Sequence, residues 1–449
     1  MVNEMQYREE IHNYIQAYKD EITETLRDLV KIPSVKGEAQ ENAPFGEECA
    51  KALKFINELY EKNGFETELS QNGGYLLSYY GEGEKTLGIF AHADVVPVSD
   101  DWIFTNPFEP IIKDGFLIGR GTLDDKAGII ISLYCAKLLK ELKIPFKSKL
   151  VMFTGANEES GMHDIKNYVK THTPPDFSLV PDTGFPAYRG DKGILHFVAT
   201  SSFPLKEIDD FRGGTAFNII LGEATAKYKN QVLTEKGISK HGALPEGSVN
   251  AGYLLAKKLL KNKELCKEDK DQIEFVADTL EKYYGEVFGI ENNDSVFGKL
   301  TCTNGIIETV DKKLSLCFDM RYGMSVDIED AKSKIIKYFT ENGWSVEFVK
   351  QQFPFCISED NPYLVSCLEV YKSFTGAKNA PAYINAGGTY ASYLPCAIEV
   401  GTSLNQSRDY FLPDGHGGAH QPDEYINIEG LLQAIEIIVL MLIEADKIL

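Results

Sequence analysis

His92 and Asp94 in AHADVV stand two residues apart at the end of an apolar run, which puts an imidazole and a carboxylate on one face of an extended chain. That pairing fixes a histidine tautomer for a metal or completes a ligand set, and it serves equally as a plain ion pair at a strand end. Asp124 and Asp125 in GRGTLDDKAG open a stretch of helical period. Carboxylates are favoured there by capping and by the helix dipole, whether or not they hold a ligand. Glu158 and Glu159 in TGANEESG follow the apolar KLVMFT. Adjacent carboxylates point apart, so one can bind a metal while the other holds a water; the alternative is an acidic first helical turn. Asp182 comes just past SLV, a place where aspartates also form simple turns. His420 in GGAHQPDEYI lies in a loop with Gly and Pro, not on an apolar helix face. His416 is a rival, but the two glycines between them argue against one helical metal-binding face.

Taken singly these signals are weak; their shared position is not. The clusters around His92, Glu159 and Asp182 each fall at the carboxyl end of an apparent parallel strand, and Asp124 falls at a helix start. Open α/β sheets bind ligands there. Carboxylates gathered in one crevice repel one another unless cations join them. Mixed imidazole and carboxylate ligands suit Zn²⁺, Mn²⁺ or Co²⁺. Two histidines with three carboxylates are too many for one catalytic zinc and fit two metals sharing a carboxylate, about 3.5–4 Å apart.

The elements that must position these groups follow from hydropathy period. Helices are expected over 8–29, 46–63, 126–142, from 163, over 251–284, 327–342 and 362–375, and from 428. Strands are expected within 86–98 and over 149–154, 177–182 and 397–400, with 314–322 as a half-buried strand and 344–353 as an edge. Strand–helix alternation in the first 185 residues argues an α/β domain with a mostly parallel sheet. The texture turns α+β from about residue 190 and returns to α/β after 361. The expected organisation is a catalytic domain in two parts, 1–187 and 357–449, interrupted by an inserted domain at 188–356.

The 449-residue chain is 43% hydrophobic and 25% charged, which excludes a largely disordered protein. Its net charge of −21 repels phosphate backbones and anionic lipid, so no nucleic-acid or membrane partner is expected. The longest apolar run near the C-terminus, 437–443, is far short of the roughly 20 residues a bilayer needs. The N-terminus lacks the basic start and apolar core of a signal peptide, and the eight cysteines are scattered without a CxxC pair. A cytoplasmic protein with reduced cysteines is expected.

Along the chain, AHADVVPV, DWIFTNPFEPIIKDGFLIGRGTLDDKAG, NEESG, PDTGFP, SKHGALPEGSVNA, FDMRY, GGTYA and AHQPDE occur in the order in which the co-catalytic zinc peptidase family carries them. Residues 92–424 thus resemble the family that contains carnosinases, aminoacylases and the PepV-type (Sapep-like) dipeptidases. The resemblance implies an α/β di-metal peptidase domain interrupted by an α+β lid. It implies two divalent metal ions per chain, zinc or manganese, with cobalt a further option. His92, Asp124 and Asp182 would hold one metal and Asp124, Glu159 and His420 the other, with Asp124 bridging. Asp94 would orient His92, and Glu158 would be the general base for a water bridging the two metals. The Asp124–Asp125 peptide would be cis. In the lid, His241 would donate to the developing oxyanion, with Asn218 in the same pocket. Arg321 would meet the free carboxylate of a small peptide substrate, because guanidinium binds carboxylates bidentately; an ion pair with Asp319 is the alternative. Gly387, Gly388 and Thr389 would offer backbone donors at the pocket wall.

Asn157, Ala127 and the AFNIIL segment depart from the family pattern, but every ligand position is intact. His12, His163, His172 and His196 match no family role. The enlarged lid implies a monomer in which His241 acts in its own chain, a homodimer being the alternative. The implied activity is that of a metal-dependent dipeptidase, β-alanyl dipeptides included. An N-acyl-amino-acid amidohydrolase of the same family is the alternative. A non-catalytic metal-binding protein would have no need of Glu158, and a metal-free two-carboxylate glycosidase leaves the histidines unexplained.

Overall fold

A computed structural model describes residues 2–404, 412–413 and 415–449, with side chains from residue 7 onward. The chain forms two compact units: Met1–Gly190, Cys356–Asn385 and Thr389–Leu449 make one, and Asp191–Phe355 with Ala386–Gly388 make the other.

Apolar runs that are buried on both sides build the first unit. Lys149–Gly155, Thr86–His92, Phe177–Thr183 and Ala397–Gly401 lie side by side in that order, all parallel. Thr86–His92 and Lys149–Gly155 are buried beyond their first residue, as strands in the middle of a covered parallel sheet must be. Antiparallel strands flank this core: Tyr75–Tyr80 pairs with Lys149–Gly155, and Ala187–Asp191 pairs with Ala397–Gly401. Helix Lys126–Glu141 packs on Thr86–His92 and against helix Ile428–Asp446. It is buried from Lys126 to Leu139, so the Asp124–Asp125 turn just before it has a fixed base.

The second unit is a seven-stranded antiparallel sheet with helices. Its order is Gln231–Lys236, Glu223–Tyr228, Ile208–Gly213, Thr301–Val310, Lys313–Tyr322, Gly193–Ser201, Trp344–Gln352. Trp344–Gln352 is an edge strand, as its sequence suggested. Phe197, Phe318, Phe288 and Phe339 form the aromatic centre of the core, Phe197 stacking on Phe318 at 4.8 Å. The architecture is therefore α/β with a mostly parallel central sheet and an inserted α+β unit.

Three expected elements differ. The helix expected over 8–29 is two, Val2–Ala17 and Lys19–Val30, broken at Tyr18, whose ring stacks on Tyr14 at 4.5 Å. The break lets the first helix pack on Ile428–Asp446 and the second on Lys126–Glu141, which one straight helix does not do. The stretch 251–284 is also two helices, Ala251–Leu259, capped by the Asn250 side chain, and Lys267–Leu280. They pack on each other and bury Leu255, Leu259, Ile273 and Val276 in one core. Lys313–Tyr322 is buried from Leu314 onward, not half-buried. Leu314, Leu316, Phe318 and Met320 face the apolar core; Ser315, Cys317, Asp319 and Arg321 take the other face, which is covered as well.

Among the described residues no helix is long and apolar enough to cross a membrane. Among the described residues no disulfide joins any of the eight cysteines.

Candidate metal centre

His92 ends its strand 1% exposed, with its Nδ1 2.9 Å from the backbone carbonyl oxygen of Asp94. A carbonyl only accepts, so the proton sits on Nδ1 and Nε2 is the nitrogen turned towards the carboxylates. Nε2 lies 3.0 Å from Asp124 Oδ1 and 3.7 Å from Asp182 Oδ1, yet it makes no properly directed hydrogen bond. A buried imidazole nitrogen aimed at two carboxylates without a hydrogen bond is the donor arrangement a cation satisfies. His420 Nε2 lies 3.1 Å from Asp124 Oδ2 and 3.0 Å from Glu159 Oε2. The two oxygens of Asp124 thus face two different histidines.

Donor atoms fall into two tight groups, His92–Asp124–Glu159 and His92–Asp125–Asp182, each with its ligand atoms within 4.8 Å of one another. Asp125 is otherwise engaged. Its Oδ1 accepts the Gly128 N–H at 3.2 Å and caps the helix, and its Oδ2 accepts the His92 N–H at 3.2 Å. The Asp124–Asp125 peptide is cis, as the family resemblance implied.

Buried acids from distant parts of the chain hold these loops. Glu424 accepts the N–H groups of Gly121, Leu123 and Asp124 at 3.0, 2.9 and 3.1 Å, and Arg120 Nη1 at 2.6 Å. Asp423 accepts the N–H groups of Ile103 and Phe104 and pairs with His416 Nδ1 at 2.7 Å, which settles His416 outside the donor groups. The Asp94 carboxylate lies 3.5 Å from His92 but accepts the N–H groups of Glu158 and Glu159 at 3.0 and 3.2 Å. Its backbone carbonyl holds the imidazole, and its side chain holds the glutamate turn.

Charge explains why this cluster needs a cation. Burial and the neighbouring Asp124 push Glu159 up to about 7 and Asp182 up to about 6. Burial, with the charge of Asp182, pushes Glu158 and Asp125 well above the usual carboxylate range. Against burial, the His420 and His92 imidazoles hold Asp124 low. His92, despite burial, is drawn up by Asp182 and Asp124. Without a metal the cluster retains protons; divalent cations replace them, and the imidazole–carboxylate donor set fits such ions.

The second unit holds the expected residues Asn218, His241, Arg321 and Gly388, while Thr389 belongs to the first. Asn218 Nδ2 is 3.5 Å from His241 Nε2, and Ile219 pairs with His241 as an isolated antiparallel bridge. His241 Nδ1 accepts the Ala243 N–H at 3.2 Å, which leaves the ring proton on Nε2 and makes that atom a donor. Arg321, 4% exposed, directs Nε to both oxygens of Asp319 at 2.9 Å and Nη1 to the Ala386 carbonyl at 2.9 Å. His196, expected without a role, holds Asp319 Oδ1 at 2.8 Å. Against burial, the Arg321 guanidinium and the hydrogen bond to His196 hold Asp319 at about 2. A Cβ at Gly388 would come 2.1 Å from Gln352 Nε2, so any larger residue there would have to displace the Gln352 amide. The Thr389 hydroxyl accepts the Ala391 N–H at 3.1 Å and caps the turn Tyr390–Tyr393.

Residues 88–444 match the model of peptidase family M20/M25/M40. The chain belongs to this family. It is a metallopeptidase. A Staphylococcus epidermidis protein provisionally named a dipeptidase is 30% identical over 94% of the chain and 96% of its own length. Among solved structures, human carnosine dipeptidase 1 superposes with a TM-score of 0.64 at 14% identity, covering 98% of this chain and 99% of its own. Bacillus subtilis YXEP, described as a dinuclear metal-binding peptidase, superposes with a TM-score of 0.57 at 12% identity, covering 97% and 100%.

In this M20 peptidase, Asp125, Asp164, Tyr390 and Glu424 are site residues that sequence reasoning passed over. Glu424 had a signal, since it follows the DDK loop and His420 inside the quoted AHQPDE. Asp125 looked like an ordinary helix-start acid, and capping is part of what it does. Asp164 and Tyr390 carried none, because their meeting depends on helix His163–Thr171 packing on the distant turn Tyr390–Tyr393.

Proposed function

We propose that this M20 peptidase is a dipeptidase working with two divalent cations on small peptides that end in a free carboxylate. The observation that carries the reading is the division of the Asp124 oxygens between His92 and His420, with Asp182 and Glu159 beside them. His92, Asp124 and Asp182 would hold one ion, and Asp124, Glu159 and His420 the other. Bound divalent ions lower the pKa of water towards about 7 and polarise a carbonyl. Glu158, next in sequence to a ligand and raised by burial, accepts the proton of the attacking water at its carboxylate and delivers it to the departing amine. The His241 Nε2–H donates to the developing oxyanion, with Asn218 beside it in the same pocket. Arg321, its Nε held by Asp319 and its Nη1 by the Ala386 carbonyl, offers its remaining N–H groups to the substrate carboxylate. The proposed enzyme acts as a monomer.

The dipeptidase name of the staphylococcal relative supports this substrate class; β-alanyl dipeptides belong to the proposal on the resemblance to carnosinases. The deciding experiment sets a dipeptide panel against N-acyl amino acids, after chelation and separate return of Zn²⁺, Mn²⁺ and Co²⁺. Metal-restored cleavage of dipeptides is expected. Preferential cleavage of N-acyl amino acids would replace the reading with an amidohydrolase.

Two substitutions test individual roles. His420→Ala is expected to lower bound metal from two ions to about one per chain by elemental analysis, since a lost ligand weakens its site. Two full equivalents would strike His420 from the ligands. Arg321→Lys keeps the charge that Asp319 needs but loses the planar fork. It is expected to raise KM for a dipeptide about 30-fold with kcat little changed. Unchanged discrimination against the C-terminally amidated dipeptide would remove Arg321 from the carboxylate site.

A further inference from the structure

Four consecutive peptide N–H groups lead into and through the paired glutamates, and each goes to a buried carboxylate. Ala156 and Asn157 donate to Asp164 Oδ2 at 2.8 and 2.7 Å, and Glu158 and Glu159 donate to Asp94. Asp164 is fully buried and makes no ion pair among the described residues; its Oδ1 takes the Ile165 N–H at 2.8 Å. Its third Oδ2 donor is the Tyr390 hydroxyl at 2.5 Å. Tyr390 is 1% exposed, and its ring meets His92 edge-on at 6.3 Å and Phe153 at 5.3 Å. Gly155 makes the approach possible, because a Cβ there would lie 1.9 Å from the Tyr390 hydroxyl and 2.4 Å from Asp164 Oδ2.

A buried carboxylate held by neutral donors alone loses much when one is withdrawn, since nothing else solvates its charge. We infer that Asp164 and the Tyr390 hydroxyl form a positioning pair that sets the 156–159 turn, and through it the placement of Glu158 towards the reacting groups. The inference rests on Glu158 being the general base. The pair touches no substrate. It acts through the backbone, where a displacement on the order of 1 Å costs about 100-fold in rate.

The test is Tyr390→Phe in the metal-loaded enzyme, alone and combined with Glu158→Gln. Alone it is expected to lower kcat about 30-fold, with KM within about twofold and both metals retained. In the Glu158→Gln background it is expected to change the residual kcat less than about twofold, because the group it positions is already disabled. Asp164→Asn probes the pair from the other side and is expected to show the same dependence on Glu158. Near-normal kcat in Tyr390→Phe, with Glu158→Gln inactive, overturns the inference and leaves the base assignment standing. Equal losses in both backgrounds also overturn it, as does a kcat loss that merely tracks lost metal. Near-normal turnover in Glu158→Gln alone brings down the base assignment itself.

Discussion

Glu158→Gln is expected to lower kcat by about three orders of magnitude while both metals stay bound and KM changes little. Glutamine keeps the volume and the peptide N–H that reaches Asp94, so the turn carrying Glu159 is undisturbed. Only the capacity to accept a proton goes. Glu158 is not among the proposed ligands, so its replacement leaves the ligand set complete. Burial and Asp182 raise its carboxyl, and that suits a group that must give the proton back to an amine. Turnover within about tenfold of the parent, measured per bound metal, would refute the assignment. A drop in metal content would instead make Glu158 a ligand.

Much of this centre was legible because parallel strands announce themselves. Thr86–His92, Lys149–Gly155 and Phe177–Thr183 are buried runs, and each has an acid or histidine at or just past its end. The sheet gathers those ends at one edge, so His92, Glu159 and Asp182 meet once the strands are side by side. Asp124 joins them from the helix that packs on the middle strand. What spacing alone does not separate is a side chain from its own backbone. Asp94 stands at the right distance from His92, yet its carbonyl holds the imidazole while its carboxylate serves two peptide groups elsewhere.

Long-range closure was out of reach for the same physical reason. Glu424 acts on a loop 300 residues earlier in the chain, and beyond its place in AHQPDE nothing local distinguishes it from a surface acid. The alternation in Lys313–Tyr322 was read as one wet face because polar side chains alternate with apolar ones. Asp319 and Arg321 instead satisfy each other, with His196 closing the set and the Phe217 ring stacked on His196 at 4.8 Å. Whether a polar face is wet depends on what else packs on it. The break at Tyr18 and the split of 251–284 likewise follow from the partners of each helix more than from its own period.

Metal removal is expected to abolish hydrolysis and to invert the pH dependence of stability. In the metal-free protein, Asp182 moves from 3.8 to about 6 and Glu159 from 4.5 to about 7. Glu158 and Asp125 move up too, and His92 keeps its proton above the ordinary 6.5. Every one of these groups binds more protons in the folded than in the unfolded state between about pH 4 and 7. Stability of the metal-free form must then fall as pH rises through that window. A carboxyl carried from 4.5 to about 7 costs on the order of 3 kcal/mol by neutral pH. Asp124, held low, contributes only below its ordinary 3.8 and does not reverse the slope. Cations displace the retained protons, so the loaded enzyme escapes the decline and loading at pH 7 releases on the order of two protons. Thermal melts of chelated and loaded protein from pH 5 to pH 7.5 should diverge steadily, and the heat of metal binding should depend on the buffer's ionisation enthalpy. Parallel melting curves, or full activity after chelation, would mean that these carboxylates do not share a cation site, since only a cation site couples their protons to metal loading.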